Sequence, residues 1–262
     1  QDMVAPAVRT LKRWILEGRI GSPISISGIG LWPRPKAYYQ RNNWAGRLWV
    51  DGKKVLDSPV SNAFAHFLNL VLFWGGQTME SCASVEHFEA ALFRAQEIES
   101  FDTFSIRGQL DSRIQFLVQG THSCRESYGP GIRISGDSGT IHWHFKKGAH
   151  LASPTRESET IKPIDPFLGR ILVMEEFINL LEGRQSTVCP AAMAMSHTRL
   201  IENLSSGTKI EDVDPDLIGC CCDLEGNEQV FIEGIEQQML GSFNTELKEL
   251  YHPASSANTH SI

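Results

Sequence analysis

The residues best equipped for chemistry in this chain of 262 lie between Trp32 and Gly76. Residues 32–49, WPRPKAYYQRNNWAGRLW, gather three of the six tryptophans and two of the four tyrosines, with Arg34, Arg41 and Arg47 set among prolines that interrupt regular structure. The stretch NAFAHFLNLVLFWGG predicts a helix from Asn62 to Trp74 that Gly75 and Gly76 stop. At about 100° per residue, Asn62, His66 and Asn69 fall within about 60° of one another, while Phe64, Phe67, Leu68, Val71 and Leu72 take the other sides. An apolar helix with one narrow polar stripe, entered from a loop of aromatics and guanidinium groups, describes the wall of a ligand pocket. His66 has two readings: a core histidine satisfied by its neighbours, or an imidazole offered to a ligand. The company of Asn62, Asn69 and the aromatic loop favours the second.

The rest of the chain supplies the frame. A hydrophobic content of 41% with 21% charged residues is that of an ordinary globular chain, long enough for one large domain or two small ones. The net charge of -7 and pI near 5.7 argue against nucleic acid as a partner, since neutralising phosphates needs clustered Lys and Arg. No apolar run reaches the roughly 18 residues that span a bilayer, so no membrane partner is expected. The cysteines show no CxxC spacing, and Cys220, Cys221 and Cys222 are consecutive. Free thiols in a reducing, cytoplasmic compartment and no metal site are expected, with the triple run packed as small hydrophobes.

Val4, Val8, Leu11, Trp14 and Ile15 recur at helical spacing up to Gly18, and ISISGIGLW alternates as a strand with a bulge near Gly28. After Gly76 the period drops to two. Strands are predicted near 81–93, 101–107, 113–119, 131–135 and 139–145, and turns this short make successive strands antiparallel. His142 and His144 share the face opposite Ile141, Trp143 and Phe145, and without a third ligand nearby in sequence a polar sheet face is their expected role. Residues 147–166 read as a loop with at most a short strand at ETIKPI. One apolar stripe through Ile171, Met174, Phe177, Ile178 and Leu181 and another through Met193, His197, Leu200, Ile201 and Leu204 predict two helices, with His197 in the core. FIEGIEQQMLGSFNTELKEL predicts a further helix of two to three turns, and residues 253–262 read as a disordered tail. GxGxxG, GxSxG, HExxH and P-loop patterns are all absent.

In their order and spacing, six stretches resemble the C-terminal domain of the Gfo/Idh/MocA family of NAD(P)-dependent oxidoreductases, which act mostly on sugars, cyclitols and their derivatives. They are LKRWILEGRIGSPISIS, WPRPKAYYQRNNWAGRLWVDGKKVLDSP, NAFAHFLNLVLFWGG, GDSGTI, FINLLEGR and AAMAMSHTRLIENLSSG. The resemblance covers most of residues 1–252 and implies an α+β domain, an open and mainly antiparallel sheet with helices packed on one face, in agreement with the periodicities. It implies that a nucleotide-binding domain would precede Gln1. NAD or NADP is therefore expected in the full-length parent, and no cofactor or independent activity in this fragment.

The chemistry so implied is hydride transfer between a sugar C–H and nicotinamide, with a base taking the hydroxyl proton, a task that suits an imidazole near neutral pH. His66 falls on the histidine of the family's Asp-x-x-x-His pair, and Asn62 stands where the acid is common. An amide can hold the hydroxyl but not take its proton. Asp57, five residues earlier, is not expected to reach the same face. Trp32, Tyr38, Tyr39 and Trp44 would offer ring faces to a small sugar-like substrate, and Arg34, Arg41 and Arg47, with Asn42 and Asn69, would meet its hydroxyls or a carboxylate. The free sheet face would join copies into a homo-oligomer. The other reading is a non-catalytic sugar-binding or oligomerisation module that keeps the fold, for which the amide at Asn62 and the missing nucleotide half speak.

Overall fold

The computed structural model describes residues 1–154 and 157–249, with side chains through residue 244; the tail expected over 253–262 lies outside the described residues. A 3-10 turn, Asp2–Val4, leads into α1 (Pro6–Leu16). Pro6 begins the helix, where its missing N–H has no helical partner to lose. Val8, Leu11, Trp14 and Ile15 face inward. β1 (Pro23–Leu31) delivers the chain to the aromatic loop, which contains α2 (Lys36–Gln40) and the small hairpin of β2 (Trp49–Val50) and β3 (Lys53–Lys54). α3 (Ala65–Gly75) follows, then β4 (Val85–Arg94), β5 (Thr103–Leu110), β6 (Gln115–Thr121), β7 (Tyr128–Gly136), β8 (Thr140–His144), β9 (Gly148–Ala152) and β10 (Glu159–Ile161). The chain closes with α4 (Pro166–Leu181), α5 (Ala191–Gly207), β11 (Ile210–Asp212), the hairpin β12 (Ile218–Cys222) and β13 (Glu228–Ile232), and α6 (Ile235–Glu249).

The fold is α+β, built on a nine-stranded, mainly antiparallel sheet of order β10-β9-β8-β7-β1-β6-β5-β4-β11. The strands from β4 to β8 alternate in direction as expected, yet β6 and β7 are not neighbours. β1 lies between them, parallel to β6 and antiparallel to β7. β11 pairs with β4 in parallel as well. One sheet face carries Ile26, Ile106, Phe116, Val118, Ile134, Ile141 and Leu151 into a core shared with α1, α3 and α5. α3 sits deepest: Leu68, Leu70, Val71, Leu72, Phe73 and Trp74 have no exposure. The Trp74 indole donates to Val8 O at 3.1 Å, and the buried Lys12 ammonium of α1 donates to Phe73 O and Gly76 O at the helix end. That satisfies carbonyls which a helix terminus leaves without intrahelical partners. Burial pulls the Lys12 pKa down to about 8, against smaller opposing effects of Cys82 and Glu80.

Several expectations are corrected. The helix expected from Asn62 starts at Ala65, because Ser58 and Ser61 tie the preceding segment into turns: Ser61 Oγ donates to Leu56 O at 2.6 Å and accepts from Ser58 N at 2.9 Å. Residues 147–166 contain two strands, β9 and β10, since GAHLA pairs with β8 through its backbone whatever its polarity. The register shifts in β1 flank Ser25 and Ile29 and leave Gly28 in regular pairing. The stretch after α5 holds a hairpin, and its strand β12 exposes Cys220 and Cys222 where packing was expected. α6 runs longer than the two to three turns expected, and it packs on the second sheet face, which was expected to be free. There Ile29 and Leu31 of β1 meet Ile232, Ile235, Met239 and Phe243, and the buried Arg133 of β7 lies over the Phe243 ring and donates to Phe243 O. Glu89, Arg107, His142 and His150 of that face stay exposed, and His142 and His144 share it as expected, opposite Ile141 and Trp143, with His144 half-buried.

α4 is the exception to burial. Asp165 caps it by accepting from Phe167 N at 2.9 Å and Leu168 N at 3.1 Å. No residue of α4 is buried, although the stripe predicted through Ile171, Met174, Phe177, Ile178 and Leu181 is there.

Candidate functional site

The aromatic loop builds itself by stacking cations on rings. The Arg34 guanidinium lies 5.2 Å from the Trp32 ring centre and 4.8 Å from that of Tyr38, and Arg41 lies 3.6 Å from Tyr38 and 5.0 Å from Trp44. Each such contact is worth roughly 0.5–1 kcal/mol where exposed. Two of the three expected arginines thus use their planes on the loop's own rings, which leaves only their edges for a ligand. Arg41 also donates to Tyr38 O at 2.5 Å. Asn42 turns inward to the backbone, its Oδ1 accepting from Trp44 N at 3.0 Å and Ala45 N at 2.7 Å. Arg47 stays exposed at the edge of a recess of about 570 Å³ that Tyr39 and Asn42 line together with Gln96, Glu97 and Glu99.

The loop rests on the start of α3. Trp32 packs 5.5 Å from Phe64 and 5.9 Å from Phe67, and Phe64 closes on β1 at Gly30, where a Cβ would come within 2.3 Å of the Phe64 ring. Beneath lies a polar layer that no spacing in the sequence reveals. Asp102 has no exposure and accepts from Ala95 N at 2.8 Å, Gln96 N at 2.7 Å and Thr103 Oγ1 at 2.8 Å. Burial raises its pKa, and these bonds oppose the rise. His122 stacks on Phe64 at 5.1 Å, and its Nδ1 lies 2.8 Å from Trp32 O. A carbonyl only accepts, so that nitrogen carries the proton. Burial, the largest cause, pulls the His122 pKa to about 3 and keeps the ring neutral. The Tyr39 hydroxyl is buried and has no hydrogen-bond partner among the described residues, and its pKa is raised first by that burial and then by Asp102.

Of the expected polar stripe, two members remain together. His66 is half exposed with Nδ1 3.7 Å from the Asp2 carboxylate, and Asn69 donates to Met3 Sδ at 3.2 Å while its buried Oδ1 has no partner among the described residues. The turn Asp2–Val4 therefore covers this side of α3. His197 approaches from α5, its Nε2 3.0 Å from Val60 O, and burial lowers its pKa. Asn62 belongs to the turn before the helix, and its Nδ2 donates to Asp57 Oδ1 at 3.0 Å. Asp57, which was not expected to reach the helix face of His66, is the immediate partner of Asn62. The turns of residues 58–61, in which Asn62 N donates to Ser58 O at 3.0 Å, bring the two together, and no periodicity encodes them. Among the described residues no three His, Cys, Asp or Glu side chains gather as a metal site, and no helix is long and apolar enough to cross a membrane.

Comparison with known proteins places this arrangement. Residues 8–142, just over half of the chain, match the GFO/IDH/MocA C-terminal domain. Curated proteins give no match. Among solved structures, the WlbA dehydrogenase from Bordetella pertussis in complex with NADH and UDP-GlcNAcA is similar at 19% identity and a TM-score of 0.59, over 77% of this chain and 57% of that one. UDP-N-acetylglucosamine 3-dehydrogenase GnnA from Acidithiobacillus ferrooxidans is similar at 13% identity and a TM-score of 0.55, over 78% and 60%. The super-repressor mutant of Gal80p from Saccharomyces cerevisiae is similar at 13% identity and a TM-score of 0.58, over 79% and 61%. The chain spans about three fifths of the length of each, and at these identities the likeness is one of fold. With β1, α3, the segment between them and the strands β4 to β7 inside the matched residues, this chain belongs to the Gfo/Idh/MocA oxidoreductase family, as a domain of the family's C-terminal type.

Proposed function

We propose that this chain is the substrate-binding and catalytic-support domain of an NAD(P)-dependent oxidoreductase acting on a sugar, a cyclitol or a derivative such as a sugar nucleotide. The observation that carries the reading is the clamping of an aromatic, guanidinium-rich loop onto the start of α3, one turn from a half-exposed imidazole held near a carboxylate. His66 would take or return the proton of a substrate hydroxyl, and Asp2 would steady the imidazolium that results. Asn62 would hold the hydroxyl, while Trp32, Tyr38 and Trp44 and the edges of Arg34, Arg41 and Arg47 would border the ring. Among the described residues no strand enters a helix through a GxGxxG turn, so these residues would not cradle a dinucleotide's phosphates in the manner of such a turn. The redox step accordingly falls outside the work of these side chains. The WlbA and GnnA dehydrogenases support a sugar nucleotide as the substrate class.

In the full-length protein, His66→Ala should lower turnover by roughly 100-fold to 10,000-fold, the usual contribution of a positioned general base, with the thermal midpoint unchanged. Full activity in that variant, or activity lost only in step with unfolding, removes His66 from the site. The second reading, a non-catalytic module on the same fold, draws on the likeness to the Gal80p super-repressor mutant. It would be left ahead by that outcome. Copies of the chain would associate through the part of the second sheet face that α6 leaves open, around Glu89, Arg107, His142 and His150.

A further inference from the structure

Asp57 is buried, 7% exposed, and each of its oxygens has one donor: Gly46 N at 2.7 Å on Oδ2 and Asn62 Nδ2 at 3.0 Å on Oδ1. A carboxylate can only accept, so the Asn62 amide must turn its NH2 inward and its carbonyl oxygen outward, however the two ends of the amide are assigned. Among the described residues nothing donates to that oxygen, and Asn62 is half-buried at the rim of the site. Gly46 is held from its other side, where its carbonyl accepts from Glu99 N at 3.0 Å and Ser100 N at 2.9 Å. Its φ of +70° and the Ile98 side chain, 2.8 Å from where a Cβ would be, reserve the position for glycine. One carboxylate therefore locks the aromatic loop and Asn62 into a single unit.

We propose that Asp57 is a positioning residue that fixes Asn62 as a hydrogen-bond acceptor, so that the substrate group met there is a donor, a hydroxyl or an N–H, and neither an ether oxygen nor a carboxylate. The substrate half of this statement rests on the function proposed above; the orientation of the amide does not. Asp57→Asn keeps the shape but presents an NH2 to Asn62, whose amide must then reverse and offer its own NH2 outward. The double variant Asp57→Asn with Asn62→Asp restores an outward oxygen.

The test is amide exchange by NMR in the full-length protein. In the wild type the Asn62 side-chain protons should exchange about tenfold more slowly than those of the exposed Asn43, as one hydrogen bond requires. This measurement needs no variant to fold, and equal rates overturn the orientation. In Asp57→Asn the Asn62 protons should speed up to the Asn43 rate. With the sugar that the wild type turns over, Asp57→Asn should raise KM about tenfold, more than it changes kcat, and the double variant should return KM to near the wild-type value. A wild-type KM in Asp57→Asn overturns the recognition role. Turnover of no sugar at all would instead count against the oxidoreductase reading, and the exchange rates would still decide the orientation.

Discussion

α3 and α4 are helices of similar apolar character with opposite fates. In α3, six consecutive-turn side chains from Leu68 to Trp74 have no exposure, whereas in α4 Phe167, Met174 and Leu181 are 69%, 61% and 71% exposed. The difference lies in what surrounds them. α3 is enclosed by the sheet, α1 and α5, and even its carboxyl end is capped by a buried ammonium from α1. α4 touches the molecule through half-buried positions such as Leu172 and Val173 and turns its heptad-like row, Phe167, Ile171, Met174, Ile178 and Leu181, outward. An apolar stripe at helical spacing thus predicts a helix that gains from being covered. It carries no information about which surface covers it.

The sharpest way to break the comparison is truncation on both sides. Leu68→Ala should cost about 2–5 kcal/mol, the range for a large core side chain whose site collapses only in part. Leu181→Ala should stay within about 0.5 kcal/mol, as exposed positions do. Urea unfolding of both variants measures this, and a comparable loss at Leu181 would mean that α4 is covered in solution. Next in size is the ammonium at the end of α3. The folded Lys12 pKa of about 8 lies below the ordinary 10.5. Between those values the unfolded chain holds a proton that the folded chain lacks, so stability should rise with pH across that window, by on the order of 3 kcal/mol. Below about 8 both states are protonated and the penalty is constant. Both carbonyl contacts survive, because a neutral amine keeps two N–H donors. Lys12→Met should flatten the curve, and an unchanged slope in that variant would assign the pH dependence to other groups.

Much of this was legible in residues. Period-two segments around Phe104, Phe116 and Ile134 located β5, β6 and β7, and the glycines after Trp74 located the end of α3, because burial on one face imposes alternation and a helix stop needs glycine or its like. β9 escaped because GAHLA earns its place by backbone pairing between β8 and β10. The hairpin of Cys220 to Cys222 escaped because half of it faces water. At the site, the density of rings and guanidinium groups was visible, but their mutual stacking was not. Asn62 and Asp57 meet across an irregular turn, and Asp102 and His122, facing each other at the open end of the β5–β6 hairpin, lie far along the chain from the aromatic loop, so no periodicity could have joined them to it.

The place of β1 also sets a timetable for synthesis. Ser25 has its parallel partner at Gln115 and Ile26 its antiparallel partner at Ile134, so β1 has one edge vacant until the ribosome has delivered residues through Thr121 and the other until it has delivered residues through Gly136. During that interval the nascent chain carries a nine-residue apolar strand with bare N–H and C=O groups, the kind of edge that recruits other strands. Closure then joins segments far apart in the chain, which favours slow folding over fast. A growing chain of this topology has most to gain from a chaperone after β1 emerges and before β7 does.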